Sequence, residues 1–488
     1  MAAPTNGQPT YARATWLFLR LLGLVYLAAF WSAGSQILGL VGHNGILPAD
    51  QYMQALAAIK GLNRFWIFPT LTWISASDAM LRFLCVGGVA LSSFLIAGIL
   101  PTPALILLWV FYLSLSVVGQ EFLSYQWDTL LLETGFLAIF LAPPRFRERP
   151  RELIAPPRIV VWLFLWLLFR LMVGSGAVKL ASGDPTWHNL TALSHHFETQ
   201  PIPTPLAWYA HRLPVWFLEL STALVFVIEI GAPYLILATR RLRVLAFVLL
   251  TGLQLLIALT GNYAFFNVLS IALCVFLLDD TALGAWTRLG ISTSPASRLR
   301  QIIGTIVAIA IVPLSATAFA ASLGIALPIA PIVNPVMDAV ASFRSVNAYG
   351  LFAVMTTTRP EIVLEGSDDG ATWMEYEFKY KAGDLHRRPP WVAPHQPRVD
   401  WQMWFAALGR FEGERWLQNL CERILENDTE VLSLLERNPF QPRAPQYLRA
   451  VLYRYRFSDA DARRRDGVWW IRERIGDYSP VLSLDLAK

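Results

Sequence analysis

Cysteine and charged residues are both scarce in this sequence of 488 residues. Its three cysteines are Cys85 and Cys274, which lie in separate apolar runs, and Cys421. That number and spacing exclude a disulfide framework and a cysteine-based metal site. Charged residues make up 15% of the chain and apolar residues 55%, whereas soluble proteins carry about 25% charged residues. The composition therefore argues against a single soluble globular protein.

Several catalytic motifs are also absent. The sequence contains neither a Gly-x-Ser-x-Gly nucleophile elbow nor a glycine-rich phosphate loop. The net charge is +5, but the arginines cluster in short loops between apolar segments, where they act as orientation signals. We therefore expect no nucleic-acid partner and no cofactor.

Long apolar runs occupy the chain up to Asn334, and charged residues become far denser from Pro335 onward. A bilayer core about 30 Å thick requires about 20 apolar residues per helix. On this criterion we predict about nine transmembrane helices, of which the third, fourth and eighth are short. The predicted spans are Thr15–Leu38, Phe83–Leu100, Ala104–Val118, Thr129–Ala142, Ile159–Lys179, Leu218–Ala238, Val244–Thr260, Ala264–Leu278 and Ile302–Leu323.

Arginines in the connecting loops predict the orientation, because loops rich in arginine remain cytoplasmic. They cluster in Pro143–Arg158, in Arg240–Arg243 and in Asp279–Gln301, which contains Arg288, and nine spans place all three loops on one side. The opposite side then receives the loop at residues 180–217. We predict a multi-pass α-helical membrane domain at residues 1–334 and a C-terminal soluble domain at residues 335–488 on the periplasmic or luminal side.

The C-terminal domain is predicted to be β-rich with added helices, an α+β arrangement. Glu361–Glu365 and Trp373–Tyr380 alternate apolar and polar residues around an Asp-Gly turn, which is typical of a hairpin. Trp401–Leu420 has the spacing of a single helix. Tyr447–Phe457 and Val468–Arg474 return to alternation and predict two further strands.

Ionisable side chains inside a membrane are costly and usually face a bundle interior or a wet cavity, so each is a functional candidate. These candidates are Asp128, Glu133, Arg170, Lys179, Glu219 and Glu229. Asp128, Lys179 and Glu219 lie near span ends, where their charges reach the membrane surface at little cost. Arg170 and Glu229 lie deeper and are either functional or a structural ion pair between neighbouring helices. Glu133 has no such explanation, and we expect it to face protein.

The long exoplasmic loop supplies a second group of polar residues. Together with the membrane charges they form one candidate cluster, catalytic or structural, whose members are Trp127, Asp128, Glu133, Arg170, Lys179, His195, His196, Glu198 and Gln200. A metal site would use His195, His196 and Glu198, but their spacing matches no strong zinc signature, and adjacent histidines on a regular helix cannot both point at one ion. We expect no metal here. The alternative is an ordered loop stiffened by its Pro-x-Pro-x-Pro run.

Five segments of unusual sequence closely resemble the lipase maturation factor family. They are Phe122–Ala138, Trp187–Pro205, Val346–Phe352, Glu375–Lys379 and Pro394–Ala406. The resemblance runs from about the third span to the C-terminus. It implies a polytopic membrane protein needed for dimeric secreted lipases to fold and assemble, located in the endoplasmic reticulum of eukaryotes with its C-terminal domain on the luminal side. The short, Ala- and Arg-rich chain suggests a bacterial member in an inner membrane, whose secreted client need not be a lipase.

Gly174–Leu180, followed by Trp187, is more faintly similar to the vitamin K-dependent carboxylase superfamily of membrane proteins. That resemblance implies an enzyme in which Lys179 acts as a general base, with His195 and Glu198 as further catalytic candidates. A lysine desolvated at a helix end suits this role because burial lowers its pKa towards the working range. The alternative, which we favour, is that Lys179 is a cation whose charge reaches the membrane surface.

We favour a maturation factor or chaperone over an enzyme. Its expected partners are a secreted client protein such as a lipase, together with membrane lipids. Trp391, Trp401 and Trp404 are the client-binding candidates, because exposed aromatic side chains supply much of the binding energy at interfaces. The alternative is that these tryptophans form the core of their own domain. Transport is disfavoured, because no paired interrupted helices occur in two halves of the chain.

Overall fold

The computed structural model describes residues 10–59, 61, 63–284 and 292–484, so Arg288 lies outside the described residues. Twenty-one α-helices were found there: α1 Ala12–Gly34, α2 Ile37–Val41, α3 Ala49–Ala57, α4 Asn63–Ile67, α5 Asp78–Ala97, α6 Pro101–Val118, α7 Gln126–Leu141, α8 Arg158–Ala181, α9 Pro185–His188, α10 Ala192–Thr199, α11 Pro205–Ala210, α12 Val215–Phe226, α13 Arg240–Thr260, α14 Phe266–Cys274, α15 Asp280–Gly284, α16 Arg298–Ser322, α17 Ala330–Val340, α18 Arg398–Ala406, α19 Arg415–Leu425, α20 Thr429–Leu432 and α21 Ala460–Asp466. The strands are β1 Glu152–Ile154, β2 Ser292–Ser294, β3 Arg359–Ser367, β4 Met374–Glu375, β5 Glu377–Phe378, β6 Leu435–Arg437, β7 Tyr447–Phe457 and β8 Trp470–Asp477.

Seven helices in the described part of the chain are long and apolar enough to cross a membrane. They are α1, α5, α6, α8, α13, α16 and the stretch Val215–Leu237, in which α12 continues through a π-helical turn at Val227–Gly231 and a 3₁₀ segment. Two of the nine predicted spans fall instead on shorter helical segments, α7 with 16 residues and Phe266–Leu277. The polytopic helical class is therefore confirmed, whereas nine crossings are not.

Helix α8 lies at the centre of the bundle. It packs against α7, α14, α16 and the π-helical turn, and nearly all of its faces are buried. Helix α13 lies at the periphery, where Val248, Leu255 and Leu256 are exposed. A peripheral face of large apolar side chains is what contact with lipid requires.

Two of the arginine-rich loops meet at one end of the bundle. Strand β1 in one loop pairs in parallel with β2 in the other, with Leu153 opposite Thr293. Helix α13 begins near the same place, because Arg240 forms an ion pair with Asp279 at 2.7 Å. This end is referred to below as the arginine face.

The C-terminal region contains a four-stranded antiparallel sheet in the order β4-β3-β7-β8. Strands β3 and β4 form the predicted hairpin, with Glu365 opposite Glu375. The predicted helix Trp401–Leu420 is wrong, because α18 ends at Ala406 and α19 begins only at Arg415. Gly409 and Gly413 lie in the intervening segment, where their low helix propensity favours the break.

The C-terminal region packs directly onto the membrane helices rather than extending from them. One hydrophobic core includes Phe122, which follows α6, and Trp416 on α19, whose rings lie 5.9 Å apart. Ser32 on α1 accepts a hydrogen bond at 2.8 Å from the backbone N–H of Gln396. Some of the polar residues predicted from sequence, such as Asp128 and Glu133, lie where the two regions meet.

Candidate functional site

Glu133 on α7 and Arg170 on α8 form an ion pair, and both side chains are buried. Tyr349 donates a hydrogen bond from its hydroxyl to Glu133 Oε2 at 2.7 Å, and the backbone N–H of Asn347 donates to the same oxygen at 3.0 Å. Arg170 Nη1 in turn donates to the backbone carbonyl of Asn347 at 2.9 Å. Glu133 therefore faces protein, as predicted, and the segment at residues 347–349 completes the shell around the pair.

Of the two alternatives for Arg170 and Glu229, an ion pair between these two residues is wrong. Glu229 lies on the π-helical turn and pairs with Lys179 on α8, at 2.5 Å between Oε2 and Nζ. Lys179 is 4% exposed and Glu229 6% exposed, and the Lys179 ammonium also lies 5.2 Å from the Trp187 ring centroid. The Lys179 charge is therefore buried against Glu229. The interpretation that it reaches the membrane surface from a span end is wrong. Glu219 is half-buried near the start of α12.

A cavity of about 80 Å³ lies beside the Lys179–Glu229 pair. His196, Gln254 and Tyr263 contribute polar groups to its lining. Tyr263 is hydrogen-bonded to the Gln200 amide oxygen at 2.7 Å, and its hydroxyl lies 3.2 Å from His196 Nε2. Burial, and then the positive charge of Lys179, lowers the pKa of His196 to about 4. The imidazole is therefore neutral near pH 7, and it lies with the Tyr263 hydroxyl in the lining of this cavity.

The residues considered as metal ligands do not converge. His196 faces Tyr263, and its ring also lies 5.0 Å from the Phe352 ring centroid. Glu198 instead accepts a hydrogen bond from the backbone N–H of Phe457 at 2.8 Å. His195 accepts one at its backbone carbonyl from Thr199. Among the described residues, no three histidine, cysteine, aspartate or glutamate side chains are grouped as metal ligands.

Arg359 connects the loop at residues 180–217 to the sheet. Its guanidinium donates to the backbone carbonyls of Glu198 and Pro201, each at 2.8 Å, and to that of Gln200. The same guanidinium pairs with Glu361 at 2.7 Å, and Glu361 pairs with Lys381 at 2.9 Å. All three charged side chains are buried. The Gln200 side chain donates to the carbonyl of Thr260 at 2.8 Å, so the loop is also held to the end of α13.

Asp128, at the start of α7, forms a two-point ion pair with Arg398 at the start of α18. Nη1 to Oδ2 and Nη2 to Oδ1 both measure 3.1 Å, and both side chains are fully buried. Arg398 also donates to the carbonyl of Phe122. The interpretation that Asp128 reaches the membrane surface is therefore wrong, because its charge is neutralised inside the protein.

An aromatic cavity of about 520 Å³ lies next to this ion pair, at the junction of the two regions. Its lining includes Tyr125, Trp127, Tyr263, Phe352, Trp401 and Trp404. Trp127 stacks on Tyr125 with centroids 4.7 Å apart, and Trp401 meets Trp127 edge-on at 4.9 Å. Val354 and Phe405 are the large apolar lining residues that remain exposed, at 67% and 43%.

The three tryptophans considered for client binding differ in exposure. Trp401 and Trp404 are buried, and the Trp404 indole N–H donates to the carbonyl of Thr199 at 2.8 Å. Trp391 is 52% exposed and does not line the aromatic cavity. The structure thus brings Trp127, Trp401 and Trp404 together and leaves Trp391 apart.

Sequence reasoning missed the buried charges of the C-terminal region. Arg359, Glu361 and Lys381 lie in a β-rich segment, where charged residues normally indicate a solvated strand face. Arg398 was also missed, although the sequence offered a signal for it. This arginine directly follows a Pro-His-Gln-Pro sequence within one of the segments that resemble the family. Phe352 was also missed as part of the wall shared by the two cavities; its φ of 55° is rare for a non-glycine residue.

Known protein domains and relatives match nearly the whole chain. The lipase maturation factor transmembrane domain matches residues 13–285, and the lipase maturation factor C-terminal domain matches residues 345–480. Lipase maturation factor 2 of Gallus gallus is 37% identical, over 96% of this chain and 81% of the relative. Lipase maturation factor 2 of Homo sapiens is 37% identical, over 96% and 82%, and lipase maturation factor 1 of Bos taurus is 37% identical, over 98% and 91%.

No solved structure matches this chain with significant similarity. The comparisons support neither the suggested bacterial origin nor the resemblance to the carboxylase superfamily. Two domain matches, together with relatives covered over 81–91% of their length, lead to one assignment: the chain is a multi-pass membrane protein that belongs to the lipase maturation factor family.

Proposed function

We propose that this chain is a membrane-embedded maturation factor that assists the folding or assembly of secreted lipases. The names of relatives aligned over 81% or more of their own length support this function. The buried charged groups then have a structural role. Asp128–Arg398, the Tyr349 hydrogen bond to Glu133 and the Arg359 contacts with the loop fix the C-terminal domain, proposed as residues 335–488, onto the membrane domain at residues 1–334. Lys179 is engaged with Glu229, which favours a structural role over that of a general base.

The proposed location is the endoplasmic reticulum membrane, with the C-terminal domain on the luminal side. The arginine face is then cytoplasmic, as loops rich in arginine favour. The loop at residues 180–217 and the aromatic cavity lie with the C-terminal domain. Secreted proteins fold in that compartment, so a client meets this side of the protein.

The aromatic cavity is the proposed client-binding site. The observation that supports this assignment is the exposed apolar rim of the cavity, formed by Val354 and Phe405. Val354 and Phe405 expose large apolar surface beside buried aromatic rings. An exposed apolar patch next to a cavity is typical of an interaction site. Trp401 and Trp404 form part of the wall, whereas Trp391 would contact a client only outside the cavity.

This function is tested by placing charges on the rim. The variants Val354→Asp and Phe405→Asp change exposed side chains, so we expect them to fold but to repel an apolar client segment. Each is produced with a secreted lipase in cells that lack their own maturation factors. The measurement is lipase activity in the medium divided by lipase protein. We expect both variants to lower this ratio about tenfold, the scale of effect seen at interface hot spots.

A matched control is Ile475→Asp, which places the same charge at an exposed apolar residue of β8 outside the cavity. We expect Ile475→Asp to support maturation as well as the unchanged chain does. If the unchanged chain itself fails to raise lipase activity while correctly inserted, the proposed function is wrong. If the unchanged chain supports maturation and the two rim variants support it equally well, the client binds elsewhere.

A further inference from the structure

We propose that a cleft on the arginine face binds the phosphate headgroup of an anionic phospholipid. The cleft has a volume of about 800 Å³. Its walls are Trp16 and Arg20 on α1, Ile96 and Ala97 at the end of α5, the segment Arg145–Pro150 and Glu152. It lies at the opposite end of the bundle from the aromatic cavity, and it is independent of the proposed client site.

Backbone hydrogen bonds hold the cleft in shape. The backbone N–H of Leu100 donates to the carbonyl of Phe146 at 2.8 Å, and that of Glu148 donates to the carbonyl of Gly98 at 2.8 Å. Gly98 has a φ of +72°, and a Cβ atom there would lie 2.4 Å from Arg20 Nη2. Any other residue here would be strained by the positive φ, and its Cβ would push the Arg20 side chain away, so the turn between α5 and α6 requires glycine. The arginine-bearing segment is thus anchored to the helix ends and is preorganised.

The cleft carries an excess of positive charge. Arg20 is neutralised by Glu148 at 2.5 Å, with both side chains mostly buried. Arg149 lies 3.5 Å from Glu152, in a pair that is largely exposed. Arg145 donates to the backbone carbonyl of Glu152, and its charge acts on Glu148, which already pairs with Arg20. In the described part of the chain, no acidic side chain pairs with Arg147, which is exposed.

Guanidinium groups suit phosphate because they donate several hydrogen bonds in a planar fork. The two carboxylates of the cleft pair with Arg20 and Arg149, and four arginines against two glutamates in the lining leave a net charge of +2 that attracts an anion. The observed charge distribution therefore selects an anionic ligand over a neutral or cationic one.

Apolar groups beside these arginines favour a phospholipid over free phosphate. Phe146 lies between Arg145 and Arg147 in the chain and is 72% exposed. Ile96 and Ala97 form the end of a membrane helix that borders the cleft. An exposed aromatic side chain flanked by arginines at a helix end is typical of the membrane interface, and basic pockets between membrane helices bind anionic headgroups.

The test uses the full-length protein purified in an uncharged detergent and analysed by native mass spectrometry. Phosphatidylglycerol and phosphatidylcholine of the same acyl chains are added separately, and glycerol 3-phosphate is added as a headgroup without chains. We expect saturable binding of phosphatidylglycerol and at least tenfold weaker binding of phosphatidylcholine. Arg147→Ala is expected to weaken phosphatidylglycerol binding about fivefold, the effect of one basic residue near a charged lipid surface.

The control variant is Arg241→Ala, which removes an exposed arginine from the same face outside the cleft. We expect Arg241→Ala to bind phosphatidylglycerol as the unchanged protein does. Equal binding of both lipids, or an equal loss with Arg241→Ala, would overturn the proposal in favour of general surface charge. If glycerol 3-phosphate binds as tightly as phosphatidylglycerol, the proposal of a lipid site is wrong and the cleft binds soluble phosphates.

Discussion

Glu229 contacts Lys179 from a π-helical turn, with 2.5 Å between their charged atoms and little exposure of either side chain. A π-helical turn changes the direction in which the following side chains project, and such turns are frequent at functional sites. Here the turn lies against α8 and places a carboxylate next to an ammonium inside a membrane domain. Separated from each other, these two charges would be costly to bury.

The first prediction concerns this pair. Lys179→Ala leaves the Glu229 carboxylate buried without a partner, so it is expected to lower the free energy of unfolding by about 3–5 kcal/mol. The double variant Lys179→Met/Glu229→Gln removes both charges and is expected to recover most of that loss. Thermal unfolding of the detergent-extracted proteins measures both effects.

The same double variant separates a structural role of Lys179 from a catalytic one. If the pair is structural, Lys179→Met/Glu229→Gln retains lipase maturation once its stability is recovered. A general base cannot be replaced by methionine, and its loss typically costs 10²- to 10⁴-fold in rate. A stable but inactive double variant would contradict the structural assignment.

The second prediction concerns the ion pair between Asp128 and Arg398. Arg398→Met is expected to destabilise the protein by about 3–5 kcal/mol, because the Asp128 charge then has no cation partner in a dry interior. Arg437→Ala is the control, because Arg437 pairs with Glu377 in a largely exposed position. Exposed pairs contribute about 0–1 kcal/mol, so denaturation of the control should match that of the unchanged protein. Equal losses in the two variants would show that burial of the first pair is unimportant.

The third prediction is that maturation needs no thiol chemistry. All three cysteines are buried and free, and burial raises the pKa of the Cys421 thiol to about 12. A thiol with so high a pKa is a poor nucleophile near neutral pH. Replacing Cys85, Cys274 and Cys421 by alanine is expected to preserve lipase maturation per folded protein. Loss of maturation in a folded triple variant would indicate a thiol step.

The fourth prediction concerns acid stability. Burial lowers the pKa of His196 to about 4, with Lys179 adding to the effect, and burial followed by Arg398 and Lys379 lowers that of His395 to about 4. In the unfolded chain a histidine takes up its proton near pH 6.5. Between about pH 6.5 and 4 the unfolded state therefore binds more protons, and the free energy of unfolding falls as the pH falls.

The measurement is denaturant unfolding at pH 6.5 and pH 5, above the range where most carboxylates titrate. We expect His196→Gln/His395→Gln to lose less stability between these two values than the unchanged protein does. Identical losses would mean that the two imidazoles take up protons equally in both states.

The fifth prediction concerns orientation. A reporter enzyme active only outside the cytoplasm is expected to be active when fused to the C-terminus and silent when fused near Arg149. The reason is that arginine-rich loops are retained in the cytoplasm. The reverse pattern would place the C-terminal domain and the aromatic cavity on the cytoplasmic side.

At Glu133, sequence reasoning predicted burial against protein but not the residues that this side chain contacts. Glu133 was expected to face protein because nothing else stabilises a carboxylate deep in a span, and the structure confirms this. Its actual neighbours, Asn347 and Tyr349, lie more than 200 residues away. Such contacts depend on how separate helices rotate and pack, and local periodicity carries no information on either.

The same limit explains the errors at Asp128 and Lys179. Position along a span predicts access to the membrane surface, but the C-terminal region and the π-helical turn cover these two residues. The hairpin of β3 and β4 was predictable because an Asp-Gly turn and alternation are local signals. The break between α18 and α19 was missed because aromatic residues continue the helical spacing across Gly409 and Gly413.

The distance along the chain between Asp128 and Arg398 also has a consequence for biosynthesis. The two residues are 270 positions apart, so a ribosome adding about 5–20 residues per second makes the arginine roughly 15–55 s after the aspartate. Throughout that interval the nascent membrane helices contain a carboxylate without its cation. Chains that stop before Arg398 keep this unpaired carboxylate permanently, so we expect them to be less stable than the full-length protein.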